Sequence, residues 1–284
     1  MNLCDIEQIR ALLSGCGFRF SRSMGQNFLT AAWVPERIAA EAGLDGGTGV
    51  LEVGPGIGCL TVQLSRLAGR VVSVELDRTL GPVLAQTLSD CGNTQVVFGD
   101  VLKLDLKKLV SERLAGFRAV VCANLPYNIT SPLISAFIEA GCFETMTLMV
   151  QREVARRICA RAGASDYGAF SVYIGWHTEP EILFDVSPEC FMPRPKVWSS
   201  VVRLDMRKAP PVRVRDEKLF FALVKAAFGQ RRKTLVNALS SGLPGYSKER
   251  LAEAAAACGL DALVRGETLG IETFAALSDA LARS

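Results

Sequence analysis

The stretch TGVLEVGPGIGCLT, residues 48–61, is the most informative part of this sequence for its fold. It begins as a short valine-rich apolar run, which predicts a buried β-strand, and continues directly into glycines at positions 54, 56 and 58. Apolar residues at helical spacing follow from Leu60 onwards. A strand, a glycine-rich turn and a helix in this order predict the first unit of an open α/β sheet, whose ligands bind at the carboxyl ends of the strands.

The alternation of strand and helix continues along the chain from this first unit. Strand-like runs end near residues 53, 75, 98, 123 and 150, and helical patterns that close near a glycine separate them. Two further strand-like stretches follow, at 173–186 and 199–206. We therefore predict a Rossmann-like α/β domain with a mostly parallel sheet of seven strands and a late antiparallel pair.

The pattern of the sequence changes after Pro210 and Pro211. Helical patterns follow at 219–239, 248–259 and 273–284, and no strand candidate remains. We place a domain boundary near residue 207. The prediction is an α/β domain over residues 1–207 and a small all-helical domain over residues 208–284.

The glycine loop favours one class of nucleotide-like cofactor. A dinucleotide fingerprint GxGxxG would need its third glycine at position 59, where this chain has Cys59, so an oxidoreductase is disfavoured. The loop instead fits the pattern ExGxGxG from Glu52 to Gly58, and it resembles the S-adenosylmethionine loop of class I methyltransferases. A tight turn without a ligand is the alternative that the loop alone leaves open.

Acidic side chains mark the ends of the next two predicted strands. Glu75 ends the second strand, 21 residues after Gly54, where a carboxylate can accept hydrogen bonds from ribose hydroxyls. Asp100 follows the third strand, where a carboxylate can accept from an adenine amino group. The three successive strand ends together predict a nucleoside site, although a capping role would explain each residue singly.

The fourth strand ends in the stretch NLPY, residues 124–127. An adenine amino group is a poor nucleophile because its lone pair is delocalised into the ring. The side-chain oxygen of Asn124 and a nearby backbone carbonyl can accept both N–H bonds and direct the lone pair towards a methyl donor. Pro126 makes the turn rigid, and Tyr127 offers a face on which a base can stack. The alternative is a turn that only caps the strand.

Composition and charge disfavour several other classes of protein. Nine scattered cysteines without a CxxC pair and the single histidine, His177, predict neither a disulfide framework nor a metal site. The first residues predict neither a secretory signal nor a membrane anchor, so we expect a soluble, cytoplasmic protein. Between residues 191 and 233, 12 basic residues accompany 3 acidic ones, which indicates either a nucleic-acid surface or a solvated face.

Taken together, these motifs resemble the KsgA-type ribosomal RNA adenine dimethyltransferases. The segment SMGQNFL at 23–29 resembles the part of that family that lies over the cofactor, and LEVGPGIGCLT, VELD, GDV and NLPYNITSPL resemble its cofactor and target-base motifs. The segments QREVARRI, DYGAFSV, FMPRPKVWSSVVRL and FGQRRKTLVNAL follow in the family's order. The resemblance extends from about residue 18 to residue 240.

The resemblance implies which residues form the sites. The implied cofactor contacts are Asn27, Leu29, Gly54, Gly56, Glu75, Asp100 and Asn124. The implied base pocket consists of Asn124, Pro126 and Tyr127, with Phe191 as either a second stacking partner or a core residue. The implied RNA contacts are Arg194 and Lys196 in a proline-rich loop and Arg231, Arg232 and Lys233 on a helix.

The resemblance also implies the reaction and the partner. Methyl groups of S-adenosylmethionine would be transferred, without a metal, to N6 of two adjacent adenosines near the 3′ end of 16S (small-subunit) ribosomal RNA, leaving S-adenosylhomocysteine. The expected partner is a pre-mature small ribosomal subunit, and the enzyme is expected to be a monomer that takes part in subunit biogenesis.

Two alternatives from the same fold stay open. An Erm-like enzyme of large-subunit RNA shares the glycine loop and an NxPY-type motif but does not typically carry FGQRRKTLxNxL, which is intact here. The other alternative is a non-catalytic RNA-binding assembly factor, against which the intact Glu75, Asp100, Asn124 and Tyr127 argue.

Overall fold

The computed structural model describes residues 1–18 and 26–282 of the chain. It divides into two compact units. The first unit contains Met1–Ala155 and Glu181–Met206, and the second contains Arg156–Pro180 and Arg207–Ser284. Within the described ranges, no helix has both the length and the apolar character that crossing a membrane requires.

Helices and strands alternate over the first two thirds of the chain, and helices follow. The strands are β1 (Phe28–Leu29), β2 (Thr48–Val53), β3 (Arg70–Glu75), β4 (Thr94–Phe98), β5 (Arg118–Asn124), β6 (Thr145–Gln151), β7 (Thr178–Val186), β8 (Phe191–Met192) and β9 (Ser199–Met206). The helices are α1 (Ile6–Gly15), α2 (Trp33–Glu41), α3 (Cys59–Leu67), α4 (Gly81–Thr87), α5 (Leu106–Arg113), α6 (Thr130–Ala140), α7 (Arg152–Cys159), α8 (Ala169–His177), α9 (Glu217–Gly229), α10 (Leu235–Gly242), α11 (Lys248–Ala257) and α12 (Ile271–Leu281).

One seven-stranded sheet has the order β4-β3-β2-β5-β6-β9-β7. β2 pairs in parallel with both β3 and β5, β3 with β4, and β5 with β6, whereas β6 and β9 are antiparallel. The chain fills one side of β2 with β3 and β4 and then continues on the other side with β5. The sheet therefore has a topological switch point between β2 and β5, which is where open α/β sheets bind ligands.

Hydrophobic clusters hold the sheet and the glycine loop together. Every residue of β2 is buried, as expected for a central parallel strand. Ile38 of α2 and Leu64 of α3 pack with Val50 and Val71 of the sheet in one cluster. A second cluster joins α1 and α4 to Ile57, which anchors the glycine loop in the core of the first unit.

The second unit is built around one cluster of apolar side chains. Helices α8 to α12 each contribute a fully buried residue to it: Trp176, Phe220, Leu239, Leu251 and Phe274. The rings of Trp176 and Phe220 stack with their centroids 4.3 Å apart. These large side chains explain how a small helical unit buries enough apolar surface to be stable.

The predicted sheet agrees closely with the observed one. The predicted strand ends lie within one residue of the ends of β2 to β6, and the predicted antiparallel strand corresponds to β9. The strand predicted over 173–186 begins only at Thr178, because the residues before it belong to α8 and His177 ends that helix. The single helix predicted over 219–239 is interrupted at residues 230–234, which connect α9 to α10.

The division into units also differs from the predicted boundary at residue 207 in one segment. Residues 156–180, which the sequence analysis placed in the α/β domain, belong to the second unit. The physical reason is that α8 buries Val172 and Trp176 in the cluster of the C-terminal helices. The proposed RNA-binding role of the C-terminal domain stays a prediction.

Candidate functional site

A cavity of about 330 Å³ lies at the carboxyl ends of β2, β3, β4 and β5. Its position follows from the switch point between β2 and β5, where the adjoining connections diverge and leave a crevice. The turns after these four strands line it together with residues 26–28, and residues 124–129 form the longest continuous part of the wall. Its volume lies within the range of small-molecule and cofactor sites.

The glycine loop forms part of the cavity wall with backbone atoms that no side chain covers. Gly54 and Gly56 have φ angles of 69° and 58°, in the left-handed region that disfavours a β-carbon. A β-carbon at Gly56 would lie 3.2 Å from ring carbons of Phe28, a crowded distance, whereas one at Gly54 would approach only Pro126, at 3.9 Å. A ligand can therefore approach the backbone of this loop more closely than it could approach a loop with side chains.

Glu75 presents a buried carboxylate at the end of β3. It lines the cavity and is only 6% exposed. The amide nitrogen of Asp77 donates to its Oε1 at 2.8 Å, and that of Gly56 donates to its Oε2 at 3.4 Å. Burial raises the pKa of the Glu75 carboxyl above its ordinary value. Each carboxylate oxygen has a second lone pair, so Glu75 can still accept hydrogen bonds from hydroxyl groups.

Asp100 follows β4, where it both lines the cavity and caps a turn. Its Oδ1 accepts a hydrogen bond of 3.1 Å from the amide nitrogen of Leu102, so it caps a short 3₁₀ turn. Its Oδ2 lies 3.6 Å from Nζ of Lys103. The capping role considered in the sequence analysis is therefore real, but lone pairs remain for an adenine amino group.

Hydrogen bonds fix the backbone of the turn after β5, whereas two acceptors in the same turn make no hydrogen bond with a described residue. The amide nitrogen of Leu125 donates to the carbonyl of Met149 in β6 at 3.1 Å, and the carbonyl of Pro126 accepts from Oγ1 of Thr130 at 3.1 Å. Asn124 and Leu125 both line the cavity, and neither the Asn124 side chain nor the Leu125 carbonyl makes a hydrogen bond with any described residue. Two preorganised acceptors are thus available side by side.

Tyr127 is held in place through its hydroxyl group. Its Oη lies 2.5 Å from Oγ of Ser199, the fully buried first residue of β9. Burial raises the pKa of the Tyr127 phenol above its ordinary value. The ring is therefore fixed both by the turn at its base and by β9 at its tip.

Glu52 is a buried acid beneath the glycine loop. Its Oε2 accepts hydrogen bonds from Oγ1 of Thr61 in α3 at 2.7 Å and from Oγ of Ser73 in β3 at 2.6 Å. Burial raises the pKa of Glu52 to about 7. Since the residue does not line the cavity, these contacts serve to tie β2, α3 and β3 together at the point where the loop begins.

Most residues of the predicted cofactor and base sites meet at this one cavity. The lining includes Asn27, Gly54, Gly56, Glu75, Asp100, Asn124, Pro126 and Tyr127. Leu29 and Phe191 do not line it, because they pair with each other across β1 and β8 and are both 4% exposed in the hydrophobic cluster of the sheet. The geometry thus fits the core alternative for Phe191. Residues 23–25 of the segment SMGQNFL lie outside the described residues.

The predicted RNA contacts fall into two groups. In the proline-rich loop, Lys196 is exposed, and Arg194 is exposed but lies 3.2 Å from Oε1 of Glu189. In the second unit, Arg232 and Lys233 are exposed in the connection between α9 and α10 rather than on a helix.

Arg231 differs from its two basic neighbours because it contacts the rest of the second unit. Its Nη2 donates to the carbonyl of Ser165 at 2.9 Å and to that of Tyr167 at 3.4 Å, and its Nε lies 3.6 Å from Glu267. A structural role therefore accounts for Arg231, and the prediction of a phosphate contact is better carried by Arg232 and Lys233.

The sequence did not predict several residues of the site, among them Ser199, Gln26 and Leu76. Ser199 anchors Tyr127, Gln26 donates to Oδ2 of Asp77 at 2.8 Å, and Leu76 lines the cavity while 56% exposed. The sequence could have indicated Leu76, since it directly follows the strand-end residue Glu75. No sequence pattern indicates Ser199, because its partner Tyr127 lies 72 residues earlier in the chain.

The cavity has the acceptors and the shape that S-adenosylmethionine requires. Two strand-end carboxylates suit a ribose and an adenine amino group, and the bare backbone of the glycine loop permits close approach. In the part of the chain that the structure describes, no cluster of His, Cys, Asp and Glu could hold a metal ion. A seven-stranded sheet of this topology with such a cavity at its switch point defines a class I methyltransferase.

A protein-family comparison identifies the branch of this class. The family model described as ribosomal RNA adenine dimethylase matches residues 17–279. The chain belongs to the ribosomal RNA adenine dimethylase family, and it is a methyltransferase that uses S-adenosylmethionine.

Curated relatives cover nearly the whole chain. It is 46% identical over 267 residues to ribosomal RNA small subunit methyltransferase A of Alkaliphilus oremlandii, which covers 94% of this chain and 93% of the relative. It is 44% identical over 276 residues to the protein of the same name from Geobacillus thermodenitrificans, covering 96% of this chain and 94% of the relative.

Solved structures agree with this assignment. A dimethyladenosine transferase from Plasmodium falciparum superposes with a TM-score of 0.74 at 25% identity, over 88% of this chain and 95% of that one. The 23S rRNA methyltransferase ErmE superposes with a TM-score of 0.68 at 28% identity, over 90% and 99%. The fold is therefore shared with a dimethyladenosine transferase and with a methyltransferase of 23S rRNA.

Proposed function

We propose that this protein dimethylates N6 of two adjacent adenosines near the 3′ end of 16S ribosomal RNA in the small subunit. The observation that carries the proposal is the turn after β5, where the open acceptors of Asn124 and Leu125 lie beside the fixed ring of Tyr127 in the cofactor cavity. Small-subunit RNA is favoured because the relatives named for that subunit are 44–46% identical, against 28% for ErmE.

The chemistry of this turn is positioning rather than acid–base catalysis. S-adenosylmethionine, when bound, supplies an electrophilic methyl group on a sulfonium. The Asn124 oxygen and the Leu125 carbonyl accept the two N–H bonds of the adenine amino group, which turns its lone pair out of conjugation with the ring. Tyr127 stacks on the base. No strong base is needed, because the nitrogen becomes acidic only once it is alkylated, and water or a backbone carbonyl then accepts the proton.

The cofactor contacts follow from the strand ends. Glu75 accepts hydrogen bonds from the ribose hydroxyls and Asp100 accepts from the adenine amino group of the cofactor, while Gly54, Gly56 and Asn27 line the space for the remainder. Each charge-assisted hydrogen bond of this kind contributes about 1.5 to 3 kcal/mol. The product S-adenosylhomocysteine would bind to the same residues.

The proposed partner is a pre-mature small ribosomal subunit, bound by a cytoplasmic monomer. Arg194, Lys196, Arg232 and Lys233 are exposed cations in the segment where basic residues exceed acidic ones by 12 to 3. Such cations contact phosphates and position the RNA without reading its sequence.

Transfer of tritiated methyl groups from S-adenosylmethionine to isolated ribosomal subunits tests the proposal. Small subunits from a strain that lacks the modification should accept label, and mapping should place it on two adjacent adenosines near the 3′ end. Large subunits provide the matched control and should accept none. Label on large subunits would favour the Erm-like alternative, and label on neither would favour a non-catalytic assembly factor.

A further inference from the structure

An exposed tryptophan lies close to the proposed base site. Trp198 and its neighbour Val197 are each 43% exposed, at the end of the proline-rich loop that precedes β9. A large aromatic surface in water is unfavourable unless a ligand or partner covers it. The proposed function described above assigns no role to either residue.

Trp198 is adjacent in the chain to Ser199, which contacts the cavity residue Tyr127. Trp198 immediately precedes Ser199, whose Oγ lies 2.5 Å from the hydroxyl of Tyr127. The Trp198 backbone therefore lies within roughly 10 Å of that hydroxyl group. The carbonyl of Trp198 accepts a hydrogen bond of 2.9 Å from the amide nitrogen of Arg152, which fixes Trp198 beside the end of β6 and the start of β9. One or two nucleotides of an extended RNA strand can cover this distance.

The charge around the indole suits a nucleotide. The guanidinium carbon of Arg152 lies 5.2 Å from the Trp198 ring centroid, a cation–π distance. Arg152 forms no ion pair with any described acidic residue, and Lys196 is exposed two residues before Trp198. An aromatic face next to uncompensated positive charge is the combination that binds single-stranded nucleic acid, in which bases stack and phosphates pair with cations.

We propose that Trp198 and Arg152 form a platform for the nucleotide that flanks the adenosine in the base pocket. The indole stacks on the flanking base, and Arg152 contacts its phosphate. The inference rests on the proposed function, because it requires an RNA strand whose target adenosine lies against Tyr127. It adds a specific demand, namely that the bases beside the target be unpaired and accessible to stacking.

Steady-state kinetics on unmethylated small ribosomal subunits test the platform. Trp198→Ala should raise the KM for subunits about 5- to 150-fold, the loss expected for one stacked base, and leave the affinity for S-adenosylmethionine unchanged in calorimetry. Trp198→Phe should recover most of the loss, because it keeps an aromatic face. Trp33→Ala is the matched control, since Trp33 is 44% exposed on α2 and does not line the cavity, and it should retain the wild-type KM.

A photo-cross-link locates the contact directly. With p-benzoylphenylalanine at position 198 and no S-adenosylmethionine added, cross-links to unmethylated small subunits should stop reverse transcription within about two nucleotides of the target adenosines. Cross-links to a ribosomal protein, or to RNA elsewhere, would overturn the platform, and so would a wild-type KM in Trp198→Ala. If the wild-type protein itself failed to methylate small subunits, the proposed function would fail and the platform with it. Methylation that is insensitive to Trp198 would overturn the platform alone.

Discussion

Asn124 shows how a single residue's environment indicates its use. Its neighbours in the turn are occupied, since Leu125 donates to β6 and the Pro126 carbonyl accepts from α6. Asn124 lines the cavity, and its carboxamide has no hydrogen-bond partner among the described residues. A polar group that is positioned by its turn and left open in a cavity is suited to bind a ligand.

Replacement of this side chain should affect the chemical step. We expect Asn124→Ala to fold and to reduce single-turnover methyl transfer about 100- to 1,000-fold, the usual effect of losing one preorganised polar group in a transition state. Calorimetry with S-adenosylmethionine and circular dichroism serve as controls for binding and folding. A folded variant with the wild-type rate would contradict the role that we propose for Asn124.

Glu52 should make stability depend on pH. Its pKa is about 7 in the folded chain against an ordinary value of 4.5, so the folded chain keeps a proton that the unfolded chain loses. The free energy of unfolding should therefore fall as the pH rises from about 4.5 to about 7, by about 3 kcal/mol through this residue.

The variant Glu52→Gln isolates this effect, because an amide can keep the hydrogen bonds from Thr61 and Ser73 without titrating. Urea denaturation at pH 5 and pH 8 should show a larger loss of stability for the wild type than for Glu52→Gln. Equal losses in the two proteins would mean that Glu52 titrates near its ordinary pKa.

Among single residues, the sequence predicted the site side chains that directly follow a strand. It did not predict contacts between side chains that are far apart in the chain. Glu75, Asp100 and Asn124 could be placed at one edge because parallel strands end together. The contacts of Tyr127 with Ser199 and of Glu52 with Ser73 depend on pairings across the sheet, which no local pattern reveals. Phe191 was ambiguous for the same reason, since only its pairing with Leu29 places it in the core.

At the scale of elements, helices and strands were predicted well where the spacing of their apolar residues was distinctive. The valine-rich central strands were located to within a residue, because they are short apolar runs bounded by turn residues. α8 was mistaken in part for a strand, because AFSVYIGWH is apolar on nearly all sides and rich in β-branched and aromatic residues. Its contacts with Phe220 in the cluster of the second unit explain why it is helical nonetheless.

Variants in the connection between α9 and α10 should distinguish its structural cation from its RNA-binding cations. The double variant Arg232→Ala, Lys233→Ala should weaken RNA binding and flatten its salt dependence by roughly 0.7 to 0.9 units of slope per lost phosphate contact. Arg231→Ala should instead lower the free energy of unfolding by about 1 kcal/mol, because the carbonyls of Ser165 and Tyr167 lose their donor. A salt slope equal to that of the wild type in the double variant would favour a solvated surface.

At the scale of the whole molecule, charge and chemistry are divided along the chain. Residues 1–190 carry a net charge of −4 and contain the glycine loop and NLPY, whereas residues 191–284 carry +7. An acidic sheet domain with a cofactor cavity and a basic C-terminal part suit an enzyme that transfers a group to RNA. The sequence indicated this division, but it could not assign residues 156–180, because their grouping depends on packing with helices 40 to 120 residues later.

Identification of the modified nucleoside is the decisive test of the proposed reaction. Unmethylated small subunits are incubated with S-adenosylmethionine and the full-length protein, and the digested ribosomal RNA is analysed by mass spectrometry. We expect N6,N6-dimethyladenosine at two adjacent positions with the wild type and a strongly reduced yield at equal times with Asn124→Ala. Methylation at another atom or in large-subunit RNA, or an equal yield with Asn124→Ala, would contradict the account.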